Sequence, residues 1–324
     1  MAWFSVAELT NLLIMTLVQL EYVVALDTFK HFAKAAAHCH ITQPSLSMQV
    51  QKLEEELGVQ VFIRTNPVTT TETGHIVIEQ ARKILAEAGI MQQLIQQEKN
   101  IVSGTLKIGI IPTLAPYLLP QFLQAFIKQY PQVRLSIHEL TTDNIVRQLK
   151  NGSLDAGILA TPLNIPELKE EFLFNEEFIA YVSRKEKLFN KKFILADDID
   201  VHSMWLLEEG HCLRSQVMNL CALQKDASIE KHFDYAAGSI ETLKHFVDKN
   251  GGITLLPELA TYTMSRAKKN MLRYFKSPAP VREISLVTLK TFSKTRLIGI
   301  LKQNIMESLP PEMEQKKNVD VIPV

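Results

Sequence analysis

The chain has 324 residues, with 35 Lys and Arg balanced by 35 Asp and Glu. Hydrophobic residues at 46% and charged residues at 22% fit an ordinary globular chain, while 12 Gly and 14 Pro are too few for a collagen-like or low-complexity one. Balanced charge excludes a protein that coats nucleic acid or membrane through an excess of one sign, yet leaves room for a small DNA-reading module; three cysteines exclude a disulfide scaffold.

The length predicts about two domains of roughly 150 residues each. Glu8 and Glu21 leave 12 apolar-rich residues between them, short of the roughly 20 that cross a bilayer. No Lys or Arg precedes Lys30, so the basic start of a signal peptide is missing. The expected location is cytoplasmic, without a membrane partner and with thiols kept reduced. Residues 1–14 read as an upstream extension or disordered arm, with Met15 a candidate start.

Helical spacing runs over 17–38 through Leu20, Val23, Val24, Phe29, Phe32, Ala35 and Ala36. After a break at 39–42, Leu46, Val50, Leu53 and Leu57 form the apolar face of a second helix. Thr42 is its expected N-cap, Pro44 is tolerated in its first turn, and Gly58 ends it. The Thr-rich stretch 59–73 reads as a short hairpin, or wing, closed by Gly74. A helix over 71–100, about 45 Å long, carries Ile76, Val77, Ile84, Leu85, Ala88, Met91, Leu94 and Ile95. That stripe needs a partner helix, so a dimer is expected.

The pattern then alternates. Strands are expected at 106–111, 133–140 and 154–160, with helices at 116–129 and 142–151, which gives a parallel βαβαβ unit. A second unit follows: a strand at 178–182, helices at 212–223 and 239–249, and a strand at 252–255. A strand at 284–290 and a helix at 295–309 complete it. The tail, 310–324, reads as poorly ordered. The expected domains are 15–72, a linker helix at 73–103, and a regulatory domain at 104–309. The latter divides into one subdomain of 104–174 and 280–309 and another of 175–279.

Two short helices joined by a tight turn form a helix-turn-helix. The second presents Gln43, Ser45, Ser47, Met48, Gln49, Gln51 and Lys52, types that suit base edges and phosphates. A solvated face of any small helical domain reads the same way. Residues 15–64 hold four cations against five acids, so positive charge must gather on one face with the Glu54–Glu56 run turned away.

The sharpest chemistry lies in Gly210-His211-Cys212-Leu213-Arg214-Ser215 and Cys221. A thiol reacts as its thiolate, which His⁺, Arg⁺ and a helix N-terminus favour, so a lowered pKa is expected at Cys212. In one continuous helix the two Cα atoms lie about 13 Å apart, whereas a disulfide needs roughly 4.4–6.8 Å. Closing this pair therefore means unwinding the helix. Three readings stay open from the residues alone. The cysteines can react, they can pack as small apolar groups, or they can join His202 and His211 on a metal, for which their spacing is unusual. Cys39 reads as a packing residue.

The segment 20–65, above all AAAHCHITQPSLSMQVQKLEEELG, resembles the N-terminal domain of LysR-type transcriptional regulators. The implied fold is an all-α winged helix-turn-helix with a long linker helix. It is followed by an α/β periplasmic-binding-protein-like domain of two Rossmann-like subdomains. The resemblance implies a helix in the DNA major groove with contacts from Gln43, Pro44, Ser45, Ser47, Gln49 and Lys52, and a wing contact from Arg64. In the wing, Arg64-Thr65-Asn66-Pro67 lacks the further basic residue usual in the family.

The segments 108–120, 138–140, 210–221 and 238–260 resemble the hydrogen-peroxide-responsive members of that family, over about 20–290 in all. This implies a peroxidatic Cys212 and a resolving Cys221. It also implies a peroxide site formed from Thr113, Thr142 and His211, with His138, Arg214, Ser215 and Arg282 around it; Ser215 stands where the family often has Asp. The implied partners are promoter double-stranded DNA, hydrogen peroxide, further copies in a homodimer or homotetramer, RNA polymerase and a cellular thiol reductant. No cofactor, metal or enzymatic turnover is implied. A metabolite-induced regulator and a thiol peroxidase are the alternatives.

Overall fold

The structure is a computed structural model that describes residues 15–98, 102–221, 237–292, 294–313 and 319–324. The extension 1–14 lies outside the described residues. The chain divides into two compact units, an N-terminal one and a larger C-terminal one.

The N-terminal unit begins with α1 (Leu17–Phe29), capped by Thr16 and Gln19 in a reciprocal box. The helical stretch expected over 17–38 breaks in two. Lys30 turns left-handed at φ 49°, and His31 starts α2 (Phe32–His38) by accepting the Ala33 N–H at 3.2 Å. The recognition helix, α3 (Gln43–Leu57), is capped by Thr42 as expected and closed by Gly58. Leu46, Val50 and Leu53 are buried against Leu20, Val23, Leu26, Ala35 and Ala36. Leu57, expected on that face, is 37% exposed.

The wing pairs β1 (Phe62–Ile63) with β2 (Thr69–Thr70). Gly74 does not close this hairpin. It lies in the first turn of α4 (Glu72–Glu98), whose start Thr71 caps by accepting the Gly74 N–H at 2.8 Å. A Cβ at Gly74 would stand 2.1 Å from the Val61 carbonyl oxygen, so the close passage of wing and helix needs glycine. Ile78 and Ala81 anchor α4 in the core, while Ile76, Ile84 and Met91 stay exposed. The Leu94 and Ile95 side chains lie outside the described residues.

In the C-terminal unit, β3 (Gly104–Ile110), α5 (Ala115–Gln129), β4 (Val133–Glu139), α6 (Thr142–Lys150) and β5 (Ala156–Thr161) form the expected parallel unit. A Cβ at Gly157 would meet Ile145 Cγ2 at 2.5 Å. The missing side chain lets α6 lie close on the sheet. β6 (Leu168–Val182) starts ten residues before the strand expected at 178 because its first part has its own partner. After β7 (Phe193–Ile194) come α7 (Cys212–Leu220), α8 (Ile240–Asn250), β8 (Ile253–Pro257), β9 (Leu272–Phe275), β10 (Ala279–Leu289) and α9 (Thr295–Glu307).

The strand order is β4-β3-β5-β10-β6-β9-β7, with β8 also on β6. β6 is shared. Its first part pairs with β10, and its end pairs with β8 and β9. Those pairings are antiparallel, so the second half is a mixed sheet rather than a repeat of the first. The tail departs most from expectation. Residues 319–321 form β11 (Val319–Val321), which pairs parallel with the start of β10.

Candidate functional site

Thr113 lies in the turn between β3 and α5, Thr142 is the first residue of α6, and Cys212 is the first residue of α7. On the two long crossing strands, Arg282 of β10 stands directly opposite Glu176 of β6. Both side chains are fully buried. Arg282 Nε donates to Glu176 Oε2 at 2.8 Å, and Nη2 lies 2.7 Å from the same oxygen. Its Nη1 donates to the Thr113 hydroxyl at 3.0 Å. The second Glu176 oxygen accepts the Leu259 N–H at 2.8 Å. One oxygen of the buried carboxylate thus accepts from the buried guanidinium and the other from a backbone N–H, so that the pair and its hydrogen bonds keep both charges inside.

Cys212 is 7% exposed. Burial pushes its thiol up, against the lowered value expected from the sequence. The Arg282 charge and then the Thr142 hydroxyl pull it back without cancelling the burial. The cation that acts on the thiol therefore comes from β10, seventy positions away in sequence, and not from the neighbouring Arg214. The Thr142 Oγ1 faces this thiol, is buried, and makes no hydrogen bond of ordinary geometry with the protein. It is an open polar valence beside a sulfur.

The other expected residues separate into two groups. His211 is buried beside Cys212 at the N-cap of α7, with Nε2 3.6 Å from the Glu208 carboxylate. Arg214 turns away and donates to the Leu207 carbonyl at 2.7 Å. Two residues after Cys212 is about 200° round a helix, so it points elsewhere. Ser215 is exposed. His138 is also exposed, on β4, where its ring pairs with the Ser136 hydroxyl at 3.0 Å. Arg214 is thus engaged away from the thiol, while Ser215 and His138 lie at the surface. Glu176 was missed. Its signal is the alternation Phe174, Glu176, Phe178, which sets an acid on the buried face of a strand.

Cys221 caps the far end of α7, half-buried, and burial pushes its thiol up to about 11. The cysteines are free thiols, and α7 is an intact helix between them. At 1.5 Å per residue they stand about 13 Å apart along its axis. Cys39 packs against the N-terminal core.

In the N-terminal unit, Gln43, Pro44 and Lys52 are exposed on α3, and Ser45, Ser47 and Gln49 are half-exposed. The Glu54–Glu56 run is not turned away from the cations. Lys52 lies 3.8 Å from Glu56, and Arg64 lies 3.8 Å from Glu54. Glu54 also accepts the N–H groups of Val61 and Phe62, at 2.8 and 3.0 Å. The acid that offsets the wing's arginine is the one that builds the wing.

Residues 17–75 match the family model for bacterial regulatory helix-turn-helix proteins of the lysR family, and residues 99–307 match the LysR substrate binding domain. The hydrogen peroxide-inducible genes activator of Dickeya chrysanthemi is 38% identical over 276 residues, covering 84% of this chain and 89% of that protein. The DNA-binding transcriptional dual regulator OxyR of Escherichia coli (strain K12) is 37% identical, with the same shares covered. A full-length OxyR variant from Pseudomonas aeruginosa superposes with a TM-score of 0.73 at 34% identity, covering 90% of this chain and 98% of that one.

Proposed function

The chain belongs to the LysR family of bacterial transcriptional regulators, among its OxyR-type hydrogen peroxide-inducible gene activators, and from that premise we propose that a Cys212–Cys221 disulfide is its switch. The observation that carries the reading is one helix with a thiol at each end. The first thiol is buried against a cation and an unpartnered hydroxyl, and the second is out of reach while the helix stands.

The chemistry runs in two balanced steps. The Cys212 sulfur, as thiolate, attacks one peroxide oxygen. An S–O bond forms, the O–O bond breaks, and the leaving oxygen takes the thiol's proton to depart as water. Arg282 supports the thiolate, the Thr142 hydroxyl holds the peroxide, and Thr113 and His211 complete the polar wall. A donor at the leaving oxygen eases O–O cleavage. The Cys221 sulfur then attacks the sulfenic sulfur of Cys212, forming S–S and releasing the oxygen as a second water. One peroxide oxidises two thiols by two electrons.

Because α7 must unwind for the sulfurs to meet, oxidation becomes a change of shape. In our reading, that change rearranges a homodimer or tetramer on promoter DNA and its engagement with RNA polymerase, and a cellular thiol reductant resets it. Gln43, Pro44, Ser45, Ser47, Gln49 and Lys52 read the major groove, with Arg64 on the neighbouring backbone.

The test is to titrate the full chain and two variants with hydrogen peroxide, counting free thiols and footprinting promoter DNA. The unaltered chain should lose two thiols per peroxide and shift its footprint. C221S should stop at a trappable sulfenic acid, and C212S should keep its footprint unchanged. A C212S variant that still responds to peroxide would overturn the proposal.

A further inference from the structure

The C-terminal strand touches both sides of the redox site. β11 pairs Val319, Asp320 and Val321 with Ala279, Pro280 and Val281, the residues just before Arg282. The Ile322 N–H donates to the Val281 carbonyl at 2.8 Å. The Ile322 carbonyl in turn accepts from Gln216 Nε2 at 2.9 Å. Gln216 is on α7, four residues after Cys212 and five before Cys221, and it is fully buried.

Its other amide atom, Oε1, is buried with no partner in the protein. A leucine or methionine would fill this space without stranding an acceptor. What the amide adds is the bond to the tail. Ile322 is itself buried, and Met313, upstream in the tail, is 1% exposed. The tail is therefore anchored to the sheet and fastened to the midpoint of the helix that oxidation has to open.

We infer that β11, Ile322 and Gln216 form a strap that holds α7 helical while the thiols are reduced, and that must release before Cys221 can reach Cys212. The inference rests on the disulfide reading above. Gln216 is then a positioning residue for the second step. It does not touch the peroxide, but it sets how readily the Cys221 sulfur displaces oxygen from the Cys212 sulfenic sulfur. In that step S–S forms, S–O breaks, and the oxygen leaves as water with the Cys221 proton. The oxidant in this step is the Cys212 sulfenic acid, which carries the two oxidising equivalents taken from the peroxide in the first step. A side-chain hydrogen bond to a strand held by β10 cannot follow a turn that unwinds, so the bond and the disulfide exclude each other.

The test follows both steps in the full chain after rapid mixing with hydrogen peroxide. Sulfenic acid at Cys212 is trapped with a dione, and closure is read as loss of the second thiol. Ile322→Pro removes the donor to Val281, and Gln216→Leu removes the donor to Ile322 while keeping the volume. Losing one such bond should speed closure about five- to tenfold, with the sulfenic step unchanged within about twofold. Amide exchange over 213–220 should also quicken in the reduced variants. In the unaltered chain, the slow exchange of the Gln216 side-chain amide, which donates to the Ile322 carbonyl, should disappear on oxidation, a readout that needs no variant. Closure at the parental rate in both variants overturns the strap, and so does a Gln216 side-chain amide that stays protected in the oxidised chain. A parent that consumes peroxide yet keeps its second thiol overturns the disulfide reading itself, and the strap with it.

Discussion

Arg282 has two roles at the residue scale, and they can be separated. It neutralises a buried Glu176, and it supplies positive charge to the Cys212 thiol. Arg282→Met leaves Glu176 buried and alone, which should cost about 3–5 kcal/mol of stability. Adding Glu176→Gln removes the stranded charge and keeps an oxygen for the Leu259 N–H. The double variant should recover most of that loss in urea unfolding. Its thiol, however, has still lost its cation, so peroxide should consume it more slowly at neutral pH than in the parent. Recovered stability together with recovered reactivity would deny Arg282 a role at the thiol. Cys221 makes a second residue-scale prediction. Burial raises its thiol to about 11 from 9.0, so the folded chain keeps a proton that the unfolded chain releases. Stability from this thiol is present below pH 9 and is lost as pH rises toward 11. C221S has no such thiol to titrate. Melting curves between pH 9 and 10 should therefore fall less steeply for C221S than for the parent.

At the element scale, α7 is both the scaffold of the thiols and the barrier between them. Ser215 and Asn219 are exposed on it, and both favour helix less than alanine does. Ser215→Ala with Asn219→Ala should stiffen the helix by about 1 kcal/mol in all and slow disulfide closure about fivefold. Peroxide consumption at Cys212 should keep its rate. Separate timing of the two steps checks this, and equal slowing of both would place the barrier elsewhere. The same helix shows what was legible in the sequence. Caps, breaks and the cysteine spacing are local signals, so Thr42, Gly58 and the separated pair could be read directly. Thr113 and Thr142 entered only through resemblance, because nothing in their local sequence points to a thiol. Arg214 was misplaced by counting neighbours along the chain rather than around the helix. Glu176 and β11 depend on strand register over more than 100 and about 40 positions, and no local periodicity encodes register. Gln216 resembles an ordinary helix residue until the strand it bonds is known.

At the scale of the whole molecule, balanced charge and a lightly basic reading head pose the question of how DNA is held. Lys52 and Arg64 each have a glutamate within 4 Å, so one head releases few counterions and should bind weakly. Affinity then has to come from joining heads. Along α4, Ile76, Ile84 and Met91 recur at intervals of eight and seven residues and are exposed at 63%, 39% and 60%, close to a repeating helical seam. Two such helices packed together would tie two heads, so that binding of the second becomes intramolecular. Ile84→Glu puts a charge into that seam without touching the packed residues Ile78 and Ala81. It should shift the chain toward monomer in sedimentation and lower promoter affinity about 100-fold or more. The reaction of Cys212 with peroxide should proceed at the parental rate, because the thiol site is built from the other compact unit. Unchanged sedimentation with normal footprinting would show that α4 is not the seam, and that the heads are joined through another surface.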